Sequence, residues 1–227
     1  MRLAVLLGAS ALVAACSPTS GDEPSTPALT TPSTSVTSSA SSRFPSSSVV
    51  PTTAPGPGSP IAAVIAWVEA GAPTDVADYH AATRDGVRTD LGADVAFTGP
   101  AGTPNCMTDA RADGALACLV DLRDPPPRPA EVYGQWKGNW VDFDGPSVVV
   151  GSAHGDPGRF GNGVGAELPP GASLTFGDYR CRTDEAAVWC VDYAHRSAVS
   201  FAADGIGTFG CLRATPAPAD VGRRYAC

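Results

Sequence analysis

Lysine is nearly absent: of the 15 basic residues in this 227-residue chain, 14 are arginine and Lys137 is the exception. Against 23 Asp and Glu they leave a formal charge of -8. A chain so poor in positive charge has no basic face with which to neutralise phosphates, which argues against a nucleic-acid partner. Charge of either sign is sparse, at 17% of residues, whereas 25 Gly and 22 Pro interrupt the chain throughout. Coiled coils and helical bundles are therefore disfavoured and a turn-rich fold is expected. No apolar run reaches the roughly 20 residues that a membrane-spanning helix needs; Leu3 to Ala15, at 13 residues, is too short.

Chemical signatures are scarce too. There is no Gly-x-Ser-x-Gly elbow, no His-Glu-x-x-His and no Ser-x-x-Lys, the sole lysine standing in Gln135-Trp136-Lys137-Gly138. Cysteines at CxxC spacing, which thiol-redox or zinc chemistry requires, are absent. His80, His154 and His195 are scattered among different segments, none at a spacing that places metal ligands on one face. No cofactor, no metal and no enzymatic activity are expected. The competing reading is a hydrolase acting on envelope glycan or lipid, its triad assembled from distant residues such as His195 with a Ser and an Asp.

What the N-terminus does carry is an address. Met1-Arg2 supplies positive charge, the apolar stretch follows, and Val13-Ala14-Ala15 places small residues before Cys16. This pattern reads as a signal peptide over residues 1–15, and its end resembles the lipobox of bacterial lipoproteins, in which the cysteine is acylated, as by palmitate. The expectation is export and anchoring through Cys16 on the outer face of the cell membrane, since two or more acyl chains hold stably where one does not. Plain cleavage near Ala15 is the alternative. From Ser17 to Pro60, 30 of 44 residues are Ser, Thr or Pro. That is too little apolar surface to offset the entropy of ordering, so residues 16–60 read as the lipidated cysteine plus a disordered stalk.

Residues 61–227 suffice for one hydrophobic core. Ser59 as cap, Pro60 at the first helical position and the stripe Ile61, Val64, Ile65 and Val68 predict one helix ending at Gly71, with Trp67 on the same face. Downstream, short alternating runs predict strands: 94–98, 116–122, 147–150, 173–176, 188–193, 198–201 and 206–209. The fold class is mainly β, a small disulfide-bonded sandwich or partly open barrel with one N-terminal helix. Six cysteines accompany these strands in an exported chain. Cys106 and Cys118 flank the turn Ala112-Asp113-Gly114, and Cys181 and Cys190 flank Asp184-Glu185-Ala186-Ala187, so each pair sits opposite across a hairpin. Cys211 and Cys227 then pair by elimination.

Candidate binding residues come from two places. Tyr133, Trp136, Trp140 and Phe143 crowd four large aromatics into eleven residues. If extended, Trp136 and Trp140 share one face and Tyr133 and Phe143 the other. Exposed aromatics beside Asn and Gln suit recognition of an envelope glycan or a protein; core packing is the competing reading. The loop from His154 to Arg159 is glycine-rich and charged, a second candidate edge or a plain connection. Gly161-Asn162-Gly163-Val164-Gly165 has phosphate-loop spacing without the strand and helix such a loop needs, and reads as a loop.

Two stretches, Val95-Ala96-Phe97-Thr98-Gly99-Pro100-Ala101-Gly102 leading to Asn105-Cys106 and Ala117-Cys118, and Leu168-Pro169-Pro170-Gly171-Ala172-Ser173-Leu174 leading to Tyr179-Arg180-Cys181-Arg182-Thr183 and Trp189-Cys190-Val191, then Ala198-Val199-Ser200-Phe201, resemble a family of secreted and lipid-anchored actinobacterial proteins. Within it, Pro125 to Trp136 and Gly151 to Pro157 are most similar to mycobacterial envelope lipoproteins. The resemblance implies a disulfide-bonded β domain in the cell envelope and carries no catalytic residues. Many members have a further cysteine pair around positions 128 to 155, which this chain lacks.

Overall fold

The computed structural model describes residues 51–155 and 158–227. The expected signal peptide, Cys16, the stalk up to residue 50 and Asp156-Pro157 lie outside the described residues.

One α-helix, α1 (Ile61–Glu69), opens the fold. It is nine residues long, and no helix among the described residues is long and apolar enough to cross a membrane. Pro60 stands at the N-cap in extended conformation, one place before the expected position, and Ser59 does not cap: its amide donates to the Gly56 carbonyl at 3.1 Å. Val64, Trp67 and Val68 are buried as the stripe requires. Strands follow in chain order as β1 (Ala72–Pro73), β2 (Ala81–Arg84), β3 (Val87–Asp90), β4 (Ala96–Thr98), β5 (Asn105–Asp109), β6 (Ala115–Leu119), β7 (Trp136–Phe143) and β8 (Ser147–Ala153). The remainder are β9 (Ala166–Glu167), β10 (Ala172–Phe176), β11 (Tyr179–Thr183), β12 (Ala187–Asp192), β13 (Ser197–Ala202), β14 (Gly205–Phe209), β15 (Arg213–Thr215) and β16 (Val221–Ala226).

These strands make two large open sheets and a separate hairpin, a sandwich rather than a closed barrel. One sheet runs β1-β10-β11-β12-β13-β14, the other β15-β16-β8-β7-β6-β5-β4-β9, and β2-β3 stands apart. Alternation decides which side chains enter the space between the sheets. Phe97, Leu116, Val141, Phe143, Val148 and Val150 from one sheet meet Leu174, Phe176, Tyr179, Val188, Val199 and Phe201 from the other in a single cluster. Phe97 lies 5.9 Å from Phe176 and Phe143 5.5 Å from Tyr179, centroid to centroid. Each such ring removed from water contributes roughly 1.5–3 kcal/mol.

Both sheets are covered on their outer faces as well. α1 packs Val64, Trp67 and Val68 onto Ala187, Trp189, Val191, Ala198 and Phe209, with Ala54 and Ile61 at the margin. That double burial explains why β12 reads Ala-Val-Trp-Cys-Val-Asp, buried at every position rather than alternating. On the far side, Ala96, Met107, Ala117 and Trp140 lie under Ala82 of the hairpin and Phe160 of the 3-10 turn Gly158–Asn162.

The C-terminal end of α1 has no basic residue of its own. Two arginines of β11 do that work: the Arg182 guanidinium donates to the Trp67 carbonyl and sits 4.1 Å from the Trp67 ring, and Arg180 donates to the Glu69 carbonyl at 3.2 Å. Cations on the last carbonyls stabilise a helix end.

Three disulfides staple the sandwich. Cys106 and Cys118 are register partners with Cα atoms 4.0 Å apart, as are Cys181 and Cys190, also at 4.0 Å. Cys211, on the crossover from β14 to β15, bonds Cys227 after β16.

Candidate functional site

The aromatic segment lands on β7, and the sheet divides its residues differently from strict alternation. Val141 and Phe143 enter the sandwich core, while Trp140 points outward and is still only 2% exposed. Its indole is stacked on His154 at 3.7 Å, met edge-on by Phe160 at 4.7 Å, and donates to Asp142 Oδ1 at 2.8 Å. Trp140 is therefore a packing residue, in line with the core-packing reading of this segment and against its use as an exposed recognition aromatic: the outer face of this sheet is roofed by the 3-10 turn. A register shift between Lys137 and Val141 separates the two tryptophans. Trp136, half-buried, donates from its indole to the Pro126 carbonyl at 3.1 Å and covers Gly151, where an added Cβ would lie 2.9 Å from the ring. Tyr133 precedes the strand, shares no face with Phe143, and is 92% exposed.

Of the loop candidates, Arg159 braces the fold. Its guanidinium donates to the carbonyls of Met107 at 3.2 Å and Ala115 at 2.8 Å, and approaches Asp109 at 4.0 Å. That holds the 3-10 turn on the sheet. His154 is half-buried beside Ser152 and Asp142, the three residue types of a hydrolytic triad. The geometry is wrong for one. Ser152 Oγ lies 2.6 Å and Asp142 Oδ2 3.6 Å from the same ring nitrogen, Nε2, whereas proton transfer with an orienting acid needs them on opposite nitrogens.

A cluster of acidic residues forms at one end of the sandwich. Turns and loops bring Asp94, Asp113, Asp144 and Asp178, and the end of β12 brings Asp192, around a cleft of about 520 Å³, with Tyr179 and His195 in its wall. Asp192 is 3% exposed; its Oδ1 accepts from the His195 amide at 2.7 Å and pairs with His195 Nδ1 at 2.9 Å. An imidazole oriented by a buried carboxylate is half of a catalytic apparatus. The other half is missing among the described residues, where the ring of His195 is hydrogen-bonded to no Ser, Thr or Cys side chain. The shared Oδ1 is what a tight turn needs to hold its own backbone. Asp94 is similarly spent, accepting from Thr108 Oγ1 at 3.0 Å and the Ala110 amide at 2.7 Å. Burial, reinforced by Asp192, Asp144 and Asp178, raises the Tyr179 phenol well above its ordinary range, while its hydroxyl donates to the Phe143 carbonyl at 3.1 Å.

Sequence reading missed this cleft because four of its aspartates sit in separate turns and loops, where Asp is common anyway, while Asp192 ends strand β12; the three-residue spacing of Asp192 and His195 was the one available signal. The remaining candidates resolve into packing. His80 Nδ1 pairs with the Asp94 carbonyl at 2.8 Å. Gly163 and Gly165 lie against the backbones of Thr83 and Ala96, where an added Cβ would come within 2.1 Å of each. No group of three or more His, Cys, Asp or Glu among the described residues is arranged to hold a metal ion.

The fold thus defines a mainly β, disulfide-bridged sandwich with polar clefts and no assembled catalytic group among the described residues. The chain matches no protein-family model, no curated protein and no solved structure.

Proposed function

We propose that this chain is a cell-envelope lipoprotein, exported, anchored by acylation of Cys16 to the outer face of the cell membrane, and carrying a non-catalytic binding or structural domain. The observation that carries the reading is cysteine accounting. All six cysteines of the described residues are consumed in three bridges, which leaves Cys16 as the odd one, directly after Val13-Ala14-Ala15. Bridges of this kind persist in oxidising compartments and are rare in the cytosol, in keeping with export. The likeness to actinobacterial envelope lipoproteins in the two cysteine hairpins supports the same placement.

Against the hydrolase reading stand the two histidine arrangements, one with Ser and Asp on the same nitrogen and one with an acid but no bonded nucleophile. A binding role fits a domain whose loops form clefts while its framework is over-braced.

The test is replacement of Cys16 with Ser in the native host. The wild-type protein should partition into detergent and the variant should appear in the medium; unchanged detergent partitioning of the variant refutes the anchor.

A further inference from the structure

We propose that Tyr133, Gln135 and His154 form a binding subsite for a neutral glycan, a reading that deepens the binding role above and rests on it. A tyrosine 92% exposed is unusual in itself, and the loop carrying it is held firmly. The preceding Val132 is buried at 5% exposure, its amide donates to the Pro129 carbonyl at 3.2 Å, and its carbonyl accepts from Arg128 Nε at 3.1 Å. Just beyond, Gly134 turns the chain at φ +88°, and the Gln135 carbonyl accepts from the His154 amide at 3.1 Å. The phenol ring is thus mounted on a braced loop, so little ordering entropy remains to be lost on binding.

Beside the ring is a shallow cavity of about 430 Å³, lined by Tyr133, Gly134, Gln135, Ala153, His154 and Gly155. That lies within the size range of small-molecule sites. Its described lining holds no carboxylate, lysine or arginine, in contrast to the cleft of five aspartates at the sandwich end. A flat aromatic face beside the Gln135 side-chain amide and the imidazole of His154, whose Nε2 is paired with Ser152, suits a ligand with an apolar face and a rim of hydroxyls, which is the chemistry of a sugar ring. A protein partner fits less well. A standard interface covers about 800 Å² per side around several anchors, and the other exposed large apolar residues among the described ones, Val87, Val164 and Tyr193, line no part of this cavity.

The test uses the full-length protein in detergent micelles, with soluble tetrasaccharides of glucose and of N-acetylglucosamine as probes in ligand-observed saturation-transfer NMR and titration. Binding of at least one probe is expected. Tyr133→Ala should weaken it about ten-fold, the size of a stacked aromatic contact, and Gln135→Ala several-fold, while Tyr133→Phe, which keeps the ring, should stay within about two-fold of wild type. Unchanged melting of the three variants is expected, since both side chains are exposed. Failure of both probes to bind, binding indifferent to Tyr133→Ala, or capture of a protein through Tyr133 without any glycan signal would each overturn the assignment. None of these touches the envelope-lipoprotein reading, which stands or falls on the detergent partitioning of the Cys16 variant.

Discussion

Replacing Trp140 with Ala tests whether the outer face of the larger sheet is a sealed layer or an open surface. At 2% exposure the indole fills the space between the sheet and the 3-10 turn Gly158–Asn162. Its loss removes the stack on His154, the edge contact with Phe160 and the hydrogen bond to Asp142. Truncating a buried tryptophan costs roughly 3–5 kcal/mol, the larger figure where neighbours cannot collapse into the void. Here Arg159, tied to the Met107 and Ala115 carbonyls, fixes the turn in place over the sheet and limits its collapse into the void, so a value near 4 kcal/mol is expected. Out of a typical total of about 5–15 kcal/mol this is a large fraction, and at about 2–4 °C per kcal/mol it lowers the melting temperature by about 8–16 °C. The measurement is urea unfolding of the oxidised protein followed by far-ultraviolet circular dichroism, because the substitution removes a fluorophore. Trp140→Phe, which keeps most of the volume and loses the N–H donor, should recover about half of the loss. A cost below about 1 kcal/mol for Trp140→Ala would mean that the residue is not roofed, and the burial argument would fail with it.

Further outcomes follow from the same geometry. Gly165→Ala should destabilise by more than about 2 kcal/mol or prevent folding, because the new Cβ would lie 2.1 Å from the Ala96 backbone; Gly155→Ala, with nothing within 4 Å, is the control, and equal melting temperatures would contradict the close approach. Arg182→Ala should cost about 1–3 kcal/mol through loss of the Trp67 carbonyl bond and ring contact, and Arg182→Lys should not restore it fully, as read by chemical denaturation. Tyr179 and Tyr193 both hold their protons more tightly folded than unfolded, chiefly through burial, Tyr193 being pushed up to about 12 with help from Glu69. With an unfolded value near 10, the unfolded chain ionises first. The stabilisation is complete below about pH 10 and is lost as pH rises towards 12. The urea midpoint should be flat from about pH 8 to 9.5 and fall above about pH 10, less steeply in Tyr179→Phe; a flat profile to about pH 11.5 would refute the linkage.

Local rules carried a long way in this chain. The helix at Ile61–Glu69, the hairpin strands flanking each local cysteine pair and the mainly β class are visible in the sequence because period, turn residues and short-range spacing act between near neighbours. The C-terminal strand β16 and the hairpin β2-β3 were not visible. Val221–Ala226 bury little on either side and Ala81–Arg84 bury only the adjacent Ala81 and Ala82, so neither alternates, and pairing with β15 and β8, or with β3, makes them strands. Whether Trp140 or Tyr133 would be the exposed aromatic was likewise undecidable from spacing. A strand has two faces, and which is roofed depends on Phe160, twenty residues away, and on Ala82, nearly sixty away. The same holds for the cleft, whose five aspartates come from separate segments of two sheets, and for the cap on α1, supplied by Arg180 and Arg182 from more than a hundred residues downstream. What the sequence by itself determined is the repertoire of elements and their short-range bridges. Which faces are covered, and which side chains remain to meet a ligand, was decided only by packing, because burial on a second face is a property of the partner layer and not of the strand.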